Sequence, residues 1–164
     1  GLLESKPLII SHRGVTNSNG VQNTIPAMER TIKFKPDYIE IDVQETKDHQ
    51  FVVMHDANLQ ELAGVDGTPQ EFTLAELTKM TVKENGLEAP IASFDDYLAK
   101  ANQAKQKLLV EIKTSKQDSQ GALSNFIEKY ERPLIKNNHQ VQSLDYNVIK
   151  AFKKAKSKVK VSFI

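Results

Sequence analysis

Between Asp37 and Gln44 the chain alternates: Ile39, Ile41 and Val43 fall on one side of an extended segment, and Glu40, Asp42 and Gln44 on the other. The run Lys107 to Lys113 repeats the pattern, with Leu108, Val110 and Ile112 opposite Leu109, Glu111 and Lys113. Two carboxylates thus share one strand face, and a third, beside a lysine, sits on another. Helical patterns lie between such strands. Ile25, Met28 and Ile32 follow the N-cap candidates Asn23 and Thr24, with Pro26 tolerated in the first turn. A helix over about 93–105 has Ser93 or Asp95 as cap and Phe94, Leu98 and Ala101 in line. Asp118 is read as capping a helix through Leu123, Phe126, Ile127 and Tyr130, and residues 146–156 as a basic helix. Further strands are expected over Pro7 to His12, fully buried and ending in a loop at Gly14, over Gln140 to Ser143 and over Val159 to Phe163. Five parallel-type strands joined by crossover helices imply a parallel sheet or barrel.

One strand breaks the rhythm. Phe51 to His55 is separated from the Asp37 to Gln44 strand only by a few residues such as Lys47, Asp48 and His49, too few for a parallel crossover. It is expected to return antiparallel, which carries His55 back towards the carboxylates. Residues 57–91, with Gly64, Gly67, Pro69, the short helical pattern Leu74 to Leu77 and Asn85-Gly86, read as an irregular insertion within one domain spanning 1–164.

In a parallel barrel, functional side chains gather at the carboxy-terminal strand ends, and His12, Glu40, Asp42, Glu111 and Lys113 all fall at or near such ends. Inward carboxylates on strands buried on both faces would cost several kcal/mol each unless compensated. A shared divalent cation is the economical compensation. The chain has no cysteine, so ligands must be carboxylate, histidine or carbonyl, and three carboxylates with positions left for water and phosphate oxygen suit Mg2+ or Ca2+ better than Zn2+. Two plainer explanations compete: Glu40 and Asp42 as the solvated face of an antiparallel sheet, and Glu111 with Lys113 as a structural ion pair. Recurrence of the pattern on crossover-connected strands weighs against the first. His49 and His139 read as structural, and Ser143, at a strand end, as a candidate substrate contact.

The motifs Ser11-His12-Arg13-Gly14, Gln22-Asn23-Thr24, Glu40-Ile41-Asp42-Val43, His55-Asp56 and Val110-Glu111-Ile112-Lys113, in that order, resemble the glycerophosphodiester phosphodiesterase family. The resemblance runs from residue 8 to about 144. It implies a TIM-type (β/α)8 barrel of the phospholipase C-like phosphodiesterase kind with a small insertion after its second strand. It further implies His12 and His55 as the acid-base pair, Glu40, Asp42 and Glu111 as ligands of one divalent cation, and Arg13 and Lys113 as phosphate holders; of the two histidines, His12 is read as the base and His55 as the acid. Gln22 departs from the glutamate most members carry there, and is not counted as a ligand. The implied reaction is hydrolysis of a small or polymeric glycerophosphodiester to sn-glycerol 3-phosphate and an alcohol. A phospholipase D-like or sphingomyelinase-like lyase giving a cyclic phosphate, and a non-catalytic metal- or phosphate-binding barrel, are the alternatives.

Charge and length narrow the partners. The 22 basic and 21 acidic residues nearly cancel, which removes the footprint of a nucleic-acid binder. Apolar runs such as Leu8 to Ile10 are far too short to cross a bilayer, and the amino terminus lacks a signal pattern. Gly1 in place of methionine suggests processing or excision, so a membrane anchor outside this segment is an expectation. The wording Gly20-Val21-Gln22-Asn23-Thr24 resembles the extracytoplasmic domain of membrane-anchored members from Gram-positive bacteria. The cluster Lys153, Lys154, Lys156, Lys158 and Lys160 reads as a solvated face, with attraction to an anionic membrane or teichoic-acid polymer as the alternative. An eight-stranded barrel occupies ~250 residues, so five strands here predict a part of a longer natural chain. Oligomeric state is not legible.

Overall fold

A computed structural model describes residues 8–15 and 20–164; Gly1 and Pro7 lie outside the described residues. Its main sheet runs through β1 (Ile10–Ser11), β2 (Tyr38–Glu45), β6 (Leu108–Ile112), β7 (Gln140–Ser143) and β8 (Lys160–Phe163), in that spatial order and parallel throughout. Helices α1 (Ile25–Ile32), α4 (Phe94–Gln103), α5 (Ala122–Lys136) and α6 (Tyr146–Lys154) form the crossovers. β3 (Phe51–Val53) pairs antiparallel with the end of β2, as the short link requires. Val43 pairs with Val53 on one side and Ile112 on the other, so β3 and β6 occupy opposite edges of β2.

All four crossover helices pack on a single face. One core cluster joins Ile39, Ile41, Val43, Val110 and Val141 to Met28, Tyr97, Phe126, Leu134 and Phe152. A doubly wound sheet would carry helices on both faces, whereas a barrel keeps them on the outside and turns the other face inward. Here that other face holds Glu40, Asp42, Gln44 and Glu111. The eight residues of β2 are all buried, so its carboxylates are not on a solvated face.

The strand expected over Pro7 to His12 contracts to Ile10–Ser11, and it is not buried: Leu8, Ile9 and Ile10 are 65%, 58% and 38% exposed. The reason is position. β1 and β8 are the two edges of the sheet, and Phe163 and Ile164 at the other edge are exposed as well. Helix starts also differ in detail. Ser93 caps α4 by accepting from the Asp96 N–H, and Asp95 does not cap. Asp118 accepts from Ser115 N–H at 2.7 Å instead of capping α5, whose N-cap place is taken by Gly121. Thr24 holds the N-cap place of α1, but its hydroxyl donates to Val21 O at 2.7 Å.

Between β3 and α4 the chain is more ordered than its loop-rich composition implies. It forms α2 (Gln60–Ala63), α3 (Leu74–Leu77) with a Thr73–Glu76 capping box, and a hairpin of β4 (Thr81–Glu84) and β5 (Leu87–Pro90). Asn85 and Gly86 at the hairpin tip have φ of 55° and 74°, as a two-residue turn with two left-handed positions requires. A second apolar cluster, including Val21, Val52, Leu59, Leu77, Val82 and Ile91, fixes this segment to the sheet. Phe51 stands edge-on to Phe126 at 5.1 Å, and Phe94 to Tyr130 at 4.7 Å, contacts worth about 0.5–1.5 kcal/mol each beyond burial. They hold β3 against α4 and α5, and so fix where His55 emerges. Among the described residues no helix is long and apolar enough to cross a membrane.

Candidate active site

Asp42 and Glu111 are register partners across β2 and β6, and Glu40 lies two residues before Asp42 on the same face. One carboxylate oxygen from each of the three comes within 4.8 Å of the others, with exposures of only 6%, 1% and 9% for Glu40, Asp42 and Glu111. Burial, then the charges of Asp42 and Glu111, outweigh a bond from Arg13 N–H and push Glu40 up to about 7. Glu111 is also raised, by burial and then Asp42, against the pull of Lys113, His55 and Arg13. Three buried carboxylates within reach of one another, two of them harder to ionise than usual, call for positive charge between them, and an all-oxygen donor set fits a hard divalent cation.

The turn His12–Gly14 follows β1 and sits over this cluster. Arg13 is left-handed, φ 52°, which aims its N–H at Glu40 Oε2, 3.1 Å away. Gly14 follows at φ 66°, and a Cβ there would lie 2.8 Å from the Tyr97 hydroxyl, so only glycine fits. The His12 side chain is 83% exposed, with Nδ1 3.9 Å from Glu40 Oε2.

His55 is held from both sides: Nδ1 is 2.9 Å from Asp56 Oδ1, and Nε2 is 3.0 Å from Arg13 NH2. A guanidinium only donates and a carboxylate only accepts, so the proton is on Nδ1 and the Nε2 lone pair faces Arg13. Gln44 sets the backbone of this loop by donating to Met54 O and Asp56 O at 2.8 and 2.9 Å. A cavity of about 920 Å³ opens beside it, lined among others by His55, Glu111, Lys113, Ser143 and Leu144. Lys113 Nζ is 3.9 Å from Glu111. Ser143 lies in the lining, but its hydroxyl donates to Ile112 O at 2.8 Å and accepts from Asp145 N–H at 3.1 Å.

The residues singled out in the sequence therefore converge: Arg13 touches both Glu40 and His55, and Lys113 stands beside Glu111. His12 is on the Glu40 side, away from the cavity lining. Three further residues have roles that the sequence reading did not give them. Asn23, left-handed at φ 58°, donates from Nδ2 to Asp42 Oδ2 at 3.1 Å and so orients that carboxylate. Asp56 fixes the His55 tautomer. Tyr97 brings a fully buried hydroxyl beside Glu40 with no hydrogen-bond partner among the described residues, and burial followed by Glu40's charge makes it harder to ionise. Asn23 and Asp56 could have been found as neighbours within the motifs; Tyr97 looks like any core aromatic on a helix.

Residues 12–163 match the family model described as Glycerophosphoryl diester phosphodiesterase family. A glycerophosphodiester phosphodiesterase of Caldanaerobacter subterraneus subsp. tengcongensis is 41% identical over 75 residues, 46% of this chain and 30% of its own length. A lysophospholipase D of Homo sapiens is 40% identical over 68 residues, 42% of this chain and 21% of its own. Among solved structures, a phosphodiesterase of Oleispira antarctica in complex with the product sn-glycerol-3-phosphate superposes with a TM-score of 0.79 at 20% identity, covering 96% of this chain and 65% of that one. This chain thus spans less than two thirds of each of these relatives, and shares with the last the fold of a TIM-type barrel through its five parallel strands.

Proposed function

The chain belongs to the glycerophosphoryl diester phosphodiesterase family, and from that premise we propose that it carries a site hydrolysing a glycerophosphodiester to sn-glycerol 3-phosphate and an alcohol. The observation that carries the reading is the meeting of Arg13 with both halves of the site, its N–H on Glu40 and its guanidinium on His55. Glu40, Asp42 and Glu111 would hold one divalent cation, Mg2+ or Ca2+, which when bound supplies charge neutralisation at the non-bridging phosphate oxygens. Arg13 and Lys113 are positioned to add to that neutralisation.

The proton transfers fall to the two histidines. Water, or the glycerol hydroxyl next to the ester, attacks phosphorus and loses its proton to His12; the P–O bond to the alcohol breaks, and the departing oxygen takes a proton from His55. Where the glycerol hydroxyl was the nucleophile, water opens the resulting cyclic phosphate in a second step to give sn-glycerol 3-phosphate. Asp56 supports that second role, because a carboxylate at Nδ1 stabilises the imidazolium that an acid must be. Arg13 can bond Nε2 only while His55 is neutral. An arriving phosphate that draws the guanidinium away frees Nε2 to take up the proton it later delivers.

Release of sn-glycerol 3-phosphate from glycerophosphocholine or glycerophosphoethanolamine, abolished by chelator and restored by Mg2+ or Ca2+, tests the reading. Absence of any release with every diester and cation tried would leave only a binding site. Phosphorus NMR of the product separates hydrolysis from cyclic phosphate formation. An extracytoplasmic location at a bacterial membrane, supported by the wording of residues 20–24, is tested by fractionating cells that express the natural gene.

A further inference from the structure

The hairpin tip reaches across to the loop that carries Gln22. Glu84, the last residue of β4, accepts from the Gln22 backbone N–H at 2.8 Å through Oε1 and from Gln22 Nε2 at 2.7 Å through Oε2. The next residue, Asn85, donates to Gly20 O at 3.1 Å. With its nitrogen end claimed by a carboxylate, the Gln22 amide turns its oxygen the other way, to Arg13 NH1 at 3.4 Å. The order of contacts is therefore Glu84, Gln22, Arg13, His55, and it joins residues more than sixty positions apart.

Three features make this more than a surface contact. Glu84 uses both oxygens on one residue, so it fixes the orientation of the Gln22 amide as well as its place. The hairpin is anchored: Val82 is buried in the second apolar cluster together with Val21, the neighbour of Gln22. And Gln22 is neutral, so the charge that balances Arg13 from this side comes from Glu84, one residue further out.

We propose that Glu84 is a positioning residue that acts through Gln22 to hold Arg13 ready for phosphate, so that the β4–β5 hairpin sets phosphate affinity. This rests on the reading of Arg13 as a phosphate holder. Glu84 touches neither substrate nor the reacting atoms. Its effect is confined to how well the guanidinium is held before the anion arrives, so it acts on KM more than on kcat.

Four proteins decide the matter: wild type, Glu84→Ala, Gln22→Glu, and the exchange pair Gln22→Glu with Glu84→Gln. Calorimetry reads inorganic phosphate and sn-glycerol 3-phosphate affinity in the presence of Mg2+, and steady-state hydrolysis reads KM and kcat. Glu84→Ala should weaken anion binding and raise KM about five- to tenfold, the worth of one net hydrogen bond, with kcat within about twofold. Gln22→Glu alone sets two carboxylates against each other and should weaken binding likewise. The exchange pair restores donor and acceptor with the charge moved next to Arg13, and should recover wild-type affinity within about twofold. A merely structural hairpin contact would shift melting temperature in the single variants and leave anion affinity and the KM-against-kcat split unmoved. Unchanged affinity in Glu84→Ala, or an exchange pair no better than its weaker single variant, overturns the proposal. Anion affinity that follows Glu84 in a protein that hydrolyses no diester would sink the diesterase reading and leave this one standing; hydrolysis and affinity unaltered in every variant would do the reverse.

Discussion

The two ends of the same sheet treat buried polar groups in opposite ways. At the amino-terminal ends of the strands, every polar contact closes. His139 Nδ1 accepts from Leu108 N–H at 2.9 Å while its Nε2 lies 2.6 Å from Asn102 Oδ1, Gln106 donates to Pro36 O and Lys107 O at 3.2 and 3.0 Å, and Gln140 donates to the Tyr38 hydroxyl at 2.7 Å. At the carboxy-terminal ends, Glu40, Asp42 and Glu111 crowd one another, and Tyr97 beside them has no partner among the described residues. The same fold thus satisfies polar groups at one end and leaves carboxylates crowded at the other, where the proposed site lies. Substitutions should cost stability at the first end and activity at the second.

The largest effect tests the second half of that statement. His12→Ala or His55→Ala should lower diester turnover by about 10²–10⁴-fold, the usual worth of positioned acid-base catalysis. Melting temperature and cation binding should hardly move. A double variant that still turns over, or a single variant that unfolds, would break the contrast between the ends.

The next effect, in stability against pH, has opposite signs at the two ends. Burial pushes His139 down to about 4 from an ordinary 6.5, so its contribution is present above pH 6.5 and is lost as pH falls through 4. At about 1.4 kcal/mol per unit this amounts to about 3 kcal/mol. Glu40, pushed up to about 7, works the other way in the cation-free protein: its contribution is present below pH 4.5 and lost as pH rises through 7. Urea unfolding in chelator should therefore give wild type a flatter profile between pH 4.5 and 6.5 than Glu40→Gln, in which the rising arm of His139 meets less opposition. Parallel profiles would show that one of the two ends is misread.

Much of this contrast was written in the alternation of residues 37–44 and 107–113, because strict period-two patterns fix faces whatever surrounds them. The return of β3 followed from link length, and His55 went with it. What the sequence hid was of two kinds. β1 reads as a buried strand from Leu8, Ile9 and Ile10, but its burial depends on which strand lies beyond it, a non-local fact. The β4–β5 hairpin was signalled by Asn85-Gly86, yet its flanking strands alternate weakly, with only Val82 and Ala89 buried. Glu84, which links that hairpin to Gln22, therefore looked like any exposed glutamate.

Cation binding probes the strained end directly. Mg2+ or Ca2+ at a hundredfold excess over Kd should stabilise the folded protein by about 2.7 kcal/mol, roughly 5–10 °C in Tm for a chain of this size. Asp42→Asn, which leaves Asn23 a partner, should lose most of that shift. It should also raise the Tm measured in chelator, since one of three crowded carboxylates is gone. A variant that melts lower in chelator and still responds fully to the cation would mean that the cluster is structural.

The smallest effect separates a partnered hydroxyl from an unpartnered one by a single oxygen. The Tyr130 hydroxyl, away from the site on α5, donates to Asp95 Oδ1 at 2.8 Å, whereas that of Tyr97 is fully buried and unpartnered beside Glu40. An unmade buried hydrogen bond costs roughly 1–3 kcal/mol, and a made one returns about 1 kcal/mol net. Tyr97→Phe should therefore stabilise the cation-free protein by up to about 1 kcal/mol, after the small void left by the oxygen, and Tyr130→Phe should destabilise it by about the same amount. Denaturant midpoints at constant slope read the pair. Opposite signs follow if the strain belongs to the carboxylate cluster itself; a loss in both would place the Tyr97 hydroxyl in a hydrogen bond and would make it a support of the site instead of a symptom of its strain.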